Sequence, residues 1–316
     1  ATSNIDTRAD LTFILAQAEN RTTQADAIFD GLATVKGKAD SKGLMWALGN
    51  NRRALGILAT TADGKQYYEL DKEMKLIAKE DTETAEYIED KFAVPSDVIN
   101  IEENSVLIVD QKGRRWRLPL GDERYKEKIE KAELRICREV STERDLFSCF
   151  GTFYELPAEN ADGFAKIRPV SSHNFAINDY ASYRGMMMLT GIEHSKAKGN
   201  PHIVISEDGK AAVWAGAIDD LWKLGKPVGH GGPWLETEVK AREKSDPFLI
   251  GFYDKREMTL SHAASSEVVF TVEVDPTGDG QWFKYADFEV KPGASFKHKF
   301  PKAFQARWIR VSTNVN

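Results

Sequence analysis

The chain has 316 residues, with 43 Lys and Arg against 49 Asp and Glu and a formal charge of −6. An apolar fraction of 41% is that of an ordinary globular protein and excludes a largely disordered chain. The acidic balance argues against a nucleic-acid binder, which would usually be basic, and no run of 18 apolar residues is present, so no membrane span is expected. The small residues Ala1-Thr2-Ser3 and the lack of an initiator Met suit either a chain processed during export or one trimmed at its start, and the location expected is secreted or periplasmic.

In chain order, Asp10–Gln17 reads as a strand and Gln24–Leu32 has a helical pattern, within an otherwise irregular first forty residues. Hairpin phrases then recur. They are Asp63-Gly64, Asp110 to Gly113, Asp162-Gly163 and Asp208-Gly209, with a further turn at Asp254-Lys255-Arg256 between two apolar runs. The four glycines stand 49, 50 and 46 residues apart. A repeat of about 48 residues matches a four-stranded β-propeller blade. The fold class expected is all-β with minor helices, the latter at Asp71–Phe92 and Asp122–Ala132. Residues 1–262 form the propeller-like part. Residues 263–316 form a C-terminal β-meander, either a last blade or a small sandwich, with strands at Val268–Val274, Gln281–Val290, Ser295–Phe300 and Ala306–Ser312. The clear repeats run from Trp46 to His262, so a second chain or a missing segment is expected to complete a ring.

Two cysteines, Cys137 and Cys149, flank Ser141–Asp145. A hairpin centred on Glu143 would set them opposite each other, within reach of a disulfide; two buried free thiols are the alternative.

The densest polar stretch is Arg168–Arg184, which precedes the apolar Met186–Leu189. His173 with Tyr180 or Tyr183 supplies groups that move protons, and Arg184 supplies a carboxylate clamp. That set suits β-elimination on a uronic acid. Asp219 and Asp220 offer carboxylates for glycoside hydrolysis, although adjacent residues of a strand point to opposite faces. The Gly/Pro-rich segment Gly225–Trp234 presents His230 as a reserve catalytic group and Trp234 as a sugar platform. Trp214 and Arg168 complete the expected substrate contacts. His202 and His262, with His173 or His230, are candidates for a divalent metal, and Asp275 with Asp279 for calcium; the cofactor stays open.

Gly151–Pro157, Ala165–Arg184, Ala215–Trp222 and Gly231–Trp234 together resemble a group of uncharacterised exported bacterial proteins, over about residues 100–316. That resemblance implies a β-propeller linked to polysaccharide breakdown. The function expected is a secreted carbohydrate-active enzyme, a lyase or glycoside hydrolase, acting on an acidic poly- or oligosaccharide. The alternatives are a non-catalytic carbohydrate-binding propeller and a protein-interaction propeller.

Overall fold

The structure, a computed structural model, describes residues 7–16, 28–48, 53–90, 99–121, 125, 136–138, 145–197 and 199–315. It is mostly β, built from five small sheets, none of which closes on itself. Strand β1 (Thr7–Ala16) opens the chain. The first sheet is a plain meander of β2 (Lys42–Ala47), β3 (Leu55–Thr61), β4 (Gly64–Leu70) and β5 (Leu76–Ala78). Its face with Met45, Ile57 and Tyr68 joins the main core; the other, with Leu58 and Tyr67, is covered by helix α1 (Thr82–Asp90) through Ile88. The expected helix at Asp71–Phe92 is thus divided: a turn and β5 occupy its first half.

Three further strands follow, β6 (Ile99–Ile101), β7 (Val106–Val109) and β8 (Arg115–Leu118). The third sheet holds β9 (Ile136–Arg138), β10 (Asp145–Cys149), β11 (Thr152–Leu156) and β12 (Arg168–Ser172). The fourth holds β13 (Tyr180–Tyr183), β14 (Met186–Leu189), β15 (Ile203–Ile205) and β16 (Ala212–Gly216), with β16 between β14 and β15. β13 touches both β2 and β9. Asn178 and Asp179, just before β13, clamp β2: their side-chain oxygens accept from Gly43 N (2.8 Å) and Met45 N (2.5 Å). Buried polar groups matched in this way fix the spacing of two sheets that apolar contact alone would let slide.

The last part of the chain comprises β17 (Gly229–Val239), β18 (Phe248–Leu249), β19 (Lys255–His262), β20 (Val268–Asp275), β21 (Phe283–Val290), β22 (Ser295–Lys299) and β23 (Trp308–Thr313). It does not form a single meander. β22 leaves its neighbours and joins β19 in a sheet ordered β17-β1-β19-β22, whereas β20, β21 and β23 extend β6–β8 through β18 into a seven-stranded sheet. These two sheets share a core of Leu11, Phe13, Met258, Leu260, Phe270, Val272, Ile309 and Val311. That core takes in the N-terminal strand β1 and residues on both sides of 262/263.

Three of the five expected turns are hairpins. Ala62-Asp63 links β3 to β4, Asp110 caps the β7–β8 turn by accepting from Lys112 N and Arg114 N, and Asp208-Gly209 links β15 to β16. Asp162-Gly163 instead joins two short 3-10 turns between β11 and β12. The turn at Asp254 separates β18 from β19, which lie in different sheets. Asp-Gly supplies a left-handed bend, and such a bend ends a 3-10 turn as readily as it closes a hairpin. The β9–β10 register pairs Cys137 with Leu146, not with Cys149, and Cys149 is a buried free thiol. The register is thus shifted from a hairpin centred on Glu143, and of the two alternatives the buried thiol holds for Cys149. The expected helix Asp122–Ala132 lies outside the described residues except for Tyr125.

Candidate functional site

The expected proton-transfer set does not assemble. His173 is only 9% exposed and sits among Phe153, Phe175 and Tyr125. Its Nδ1 accepts from Phe175 N (3.2 Å) and lies 3.2 Å from the Tyr125 hydroxyl, so one ring nitrogen serves the local chain path. Tyr180 is fully buried, and its hydroxyl accepts from Ser148 N (2.9 Å). Tyr183 donates to Arg53 O (2.7 Å); burial pushes its pKa up, with Arg184 partly offsetting that. Arg184 occupies the exposed tip of the β13–β14 hairpin, at φ 52°. At strand rise it stands about 13 Å along the chain from Tyr180. A single substrate atom cannot meet a buried His173, a buried Tyr180 and that distant arginine together.

The expected sugar platforms are also core residues. Trp214 is fully buried, stacks on Phe29 and His202, and donates to Ile28 O (2.9 Å). Trp234 is 7% exposed on the wall of a cavity of about 280 Å³. Three of its four lining cations are already matched: Arg115 and Arg117 both hold Asp246, and Lys244 holds Glu273. Burial pushes the Asp246 carboxyl up, but the two arginines outweigh it and hold it below the ordinary range. Asp220 is buried, accepts from Ala217 N (3.1 Å) and binds Lys223 Nζ (2.8 Å), and so fixes its own 3-10 turn, Ile218–Lys223. His230 is half-buried, with its backbone paired to Leu120.

The metal candidates separate too. His202 Nδ1 is 2.9 Å from Ala215 O, and His262 Nε2 is 2.8 Å from Val290 O, in a different sheet. The Asp275 oxygens accept from Thr277 N, Gly278 N and Gly280 N, which shapes the turn without an ion. Among the described residues no group of three or more His, Cys, Asp or Glu is placed to hold a metal.

Of the predicted site residues, Asp219 is exposed and Arg168 half-buried, on two elements that pack together. The turn Ile218–Lys223 packs on β12, burying Leu221 and leaving Trp222 47% exposed. Residues i and i+3 of a 3-10 turn eclipse, so exposed Asp219 and Trp222 lie on one side. The chain then returns to β12: Ser172 N donates to Gly225 O (3.2 Å), and Val228 N donates to Ser172 Oγ (3.0 Å). Lys226 Nζ reaches Asp254 (2.8 Å). Beside Asp254, Phe252 is 45% exposed at φ 70°, a left-handed conformation rare for an aromatic residue. It is imposed by the neighbouring turn: Ile250 N and Gly251 N both donate to Arg307 O, and a Cβ at Gly251 would come within 2.9 Å of the Arg307 backbone. The Arg307 guanidinium lies over the Phe252 ring (4.9 Å), and Arg307 lies close enough to Arg168 to feel its charge. Arg168, at the start of β12, is paired with Glu155. The Lys226–Asp254 pair thus joins the Trp222 segment to the Phe252 segment, and Arg307 links the latter to the field of Arg168. Trp222 and Phe252 are exposed aromatic residues of the two segments that this ion pair ties together. Phe252 and Arg307 carried no sequence signal, because the pairing of β18 with β23 brings them together from distant parts of the chain.

No family model matches the chain, and no curated protein matches it.

Proposed function

We propose that the chain is an exported bacterial carbohydrate-binding protein, with a propeller-like β body that presents its ligand surface between Trp222 and Phe252. The contacts of β13 with both β2 and β9 support sheets arranged about a common axis, as does the resemblance of residues 100–316 to exported β-propeller proteins of polysaccharide breakdown. The observation that carries the reading is the exposure of these two aromatic rings beside strongly polar side chains. Isolated apolar side chains on a surface need no explanation, but two rings facing water with hydrogen-bonding groups between them match the C–H faces and hydroxyls of a sugar. Binding is favoured over cleavage because His173 and Tyr180 are buried and committed to the fold.

Cleavage by hydrolysis keeps one observation in its favour: exposed Asp219 lies on the same side of its turn as Trp222. A panel of immobilised polysaccharides, also assayed for new reducing ends and unsaturated products, tests both readings. Binding without products is expected. Trp222→Ala should weaken it about tenfold, the loss of one ring contact, with an unchanged melting temperature. Full binding by Trp222→Ala would remove the surface from the account, and products abolished by Asp219→Asn would restore the enzyme.

A further inference from the structure

The charges around the Trp222–Phe252 surface do not cancel. Apart from exposed Asp219 on the Trp222 turn, its carboxylates are taken: Glu155 by Arg168, Asp254 by Lys226, Asp279 by Lys166, and Asp275 by three backbone N–H groups. Two arginines remain. Arg256 is buried and spends its donors on carbonyls, Nε on Ile250 O (2.8 Å) and Nη1 on Phe304 O (3.1 Å). Arg307 commits Nη1 to Lys166 O (2.6 Å) and Ile167 O (2.7 Å), and its Nε is buried without a hydrogen-bond partner. Among the described residues no carboxylate forms an ion pair with Arg307, and Asp275 and Asp279 act on it only at longer range. Burial and the charge of Arg168 both disfavour its protonated form. A half-desolvated guanidinium, fixed by two carbonyls and an aromatic face and without an ion-paired carboxylate among the described residues, is set to gain from an anion. Its Nη2 makes no hydrogen bond among the described residues.

We infer that Arg307 is the anion receptor of this surface and restricts its ligands to glycans bearing a carboxylate or sulfate, with the acid group at Nη2 and a sugar ring against Phe252. The inference rests on the carbohydrate-binding reading and names its substrate class. Carbonyl contacts hold the guanidinium in place before the ligand arrives, so little ordering entropy is lost on binding. Arg168, tied to Glu155, contributes field and no direct contact.

The test uses matched pairs on the intact chain: galacturonan and alginate against their neutral esters, and a sulfated galactan against its desulfated form. The acid member of at least one pair should bind about tenfold or more tightly than its neutral partner, the scale of one charge-assisted hydrogen bond. The carboxylate and sulfate pairs distinguish the two sources. Arg307→Gln should erase that preference and keep the residual binding of the neutral member, while Arg307→Lys keeps part of the preference. Phe252→Leu, on the exposed side, should shrink the preference and serves as the second variant if Arg307→Gln unfolds. Equal binding within every pair, or an undiminished preference in folded Arg307→Gln or in Phe252→Leu, overturns the inference and leaves carbohydrate binding standing. No binding to any member overturns the carbohydrate reading and the inference with it.

Discussion

Side-chain identity fixes chemistry, but burial decides whether that chemistry is available. Trp214 and Trp222 are both tryptophans in the most distinctive stretch of the sequence, yet the first is a core residue and the second meets water. Arg168 and Arg307 are both arginines near a carboxylate, yet only the first is paired. His298 shows the same dependence. It lies on the half-buried aromatic edge of the sandwich, with Phe288 and Phe300 each at 4.8 Å and the Tyr285 hydroxyl 2.9 Å from Nε2. Burial lowers its pKa from the ordinary 6.5. A base whose pKa is lowered in the folded state binds fewer protons there than in the unfolded chain. Its contribution is therefore fully present above pH 6.5 and is lost as pH falls through the lower folded value. Urea midpoints measured between pH 7.5 and 5 should fall with acidification, and His298→Gln should flatten that slope. An identical slope in the variant would show that other groups carry it.

At the scale of elements, strands and tight turns were readable locally, and their partners were not. A strand reads at Asp10–Gln17, but nothing near Thr7–Ala16 indicates that β1 pairs with β17 and β19. Likewise the alternation in Val268–Val274 identified a strand with one buried face, while the departure of β22 to the other sheet depends on contacts made by Met258 and Leu260. The candidate site suffered most from this limit, since Phe252 and Arg307 meet only through tertiary pairing. The pairing of β1 carries a mutational consequence. Phe13 is fully buried and stacks on Phe248 at 5.0 Å, so an N-terminal strand holds the centre of the sandwich. Phe13→Ala should cost about 3–5 kcal/mol in denaturant unfolding, as for a central core aromatic. A cost under about 1 kcal/mol would mean that β1 is dispensable.

At the scale of the molecule, sheets from separate parts of the chain form interlocking cores. One joins β2–β5 to β13–β16 through Asn178 and Asp179, and another joins the two sheets of the sandwich. The candidate surface lies where the third sheet meets the sandwich, because Arg307 binds the carbonyls of Lys166 and Ile167 and Trp308 Nε1 donates to Ala165 O (2.8 Å). Packed sheet on both sides therefore sets the positions of Trp222 and Phe252, and the proposed carbohydrate ligand would meet a preformed surface. That claim is tested most directly by amide hydrogen exchange of the whole chain with and without a saturating acidic polysaccharide from the matched panel. The account predicts slowed exchange confined to residues 218–228 and 250–254, with no change in the groove beside α1 that Lys65, Lys79, Glu86 and Glu89 line. Protection centred on that groove, with no change at 218–228 and 250–254, would contradict it.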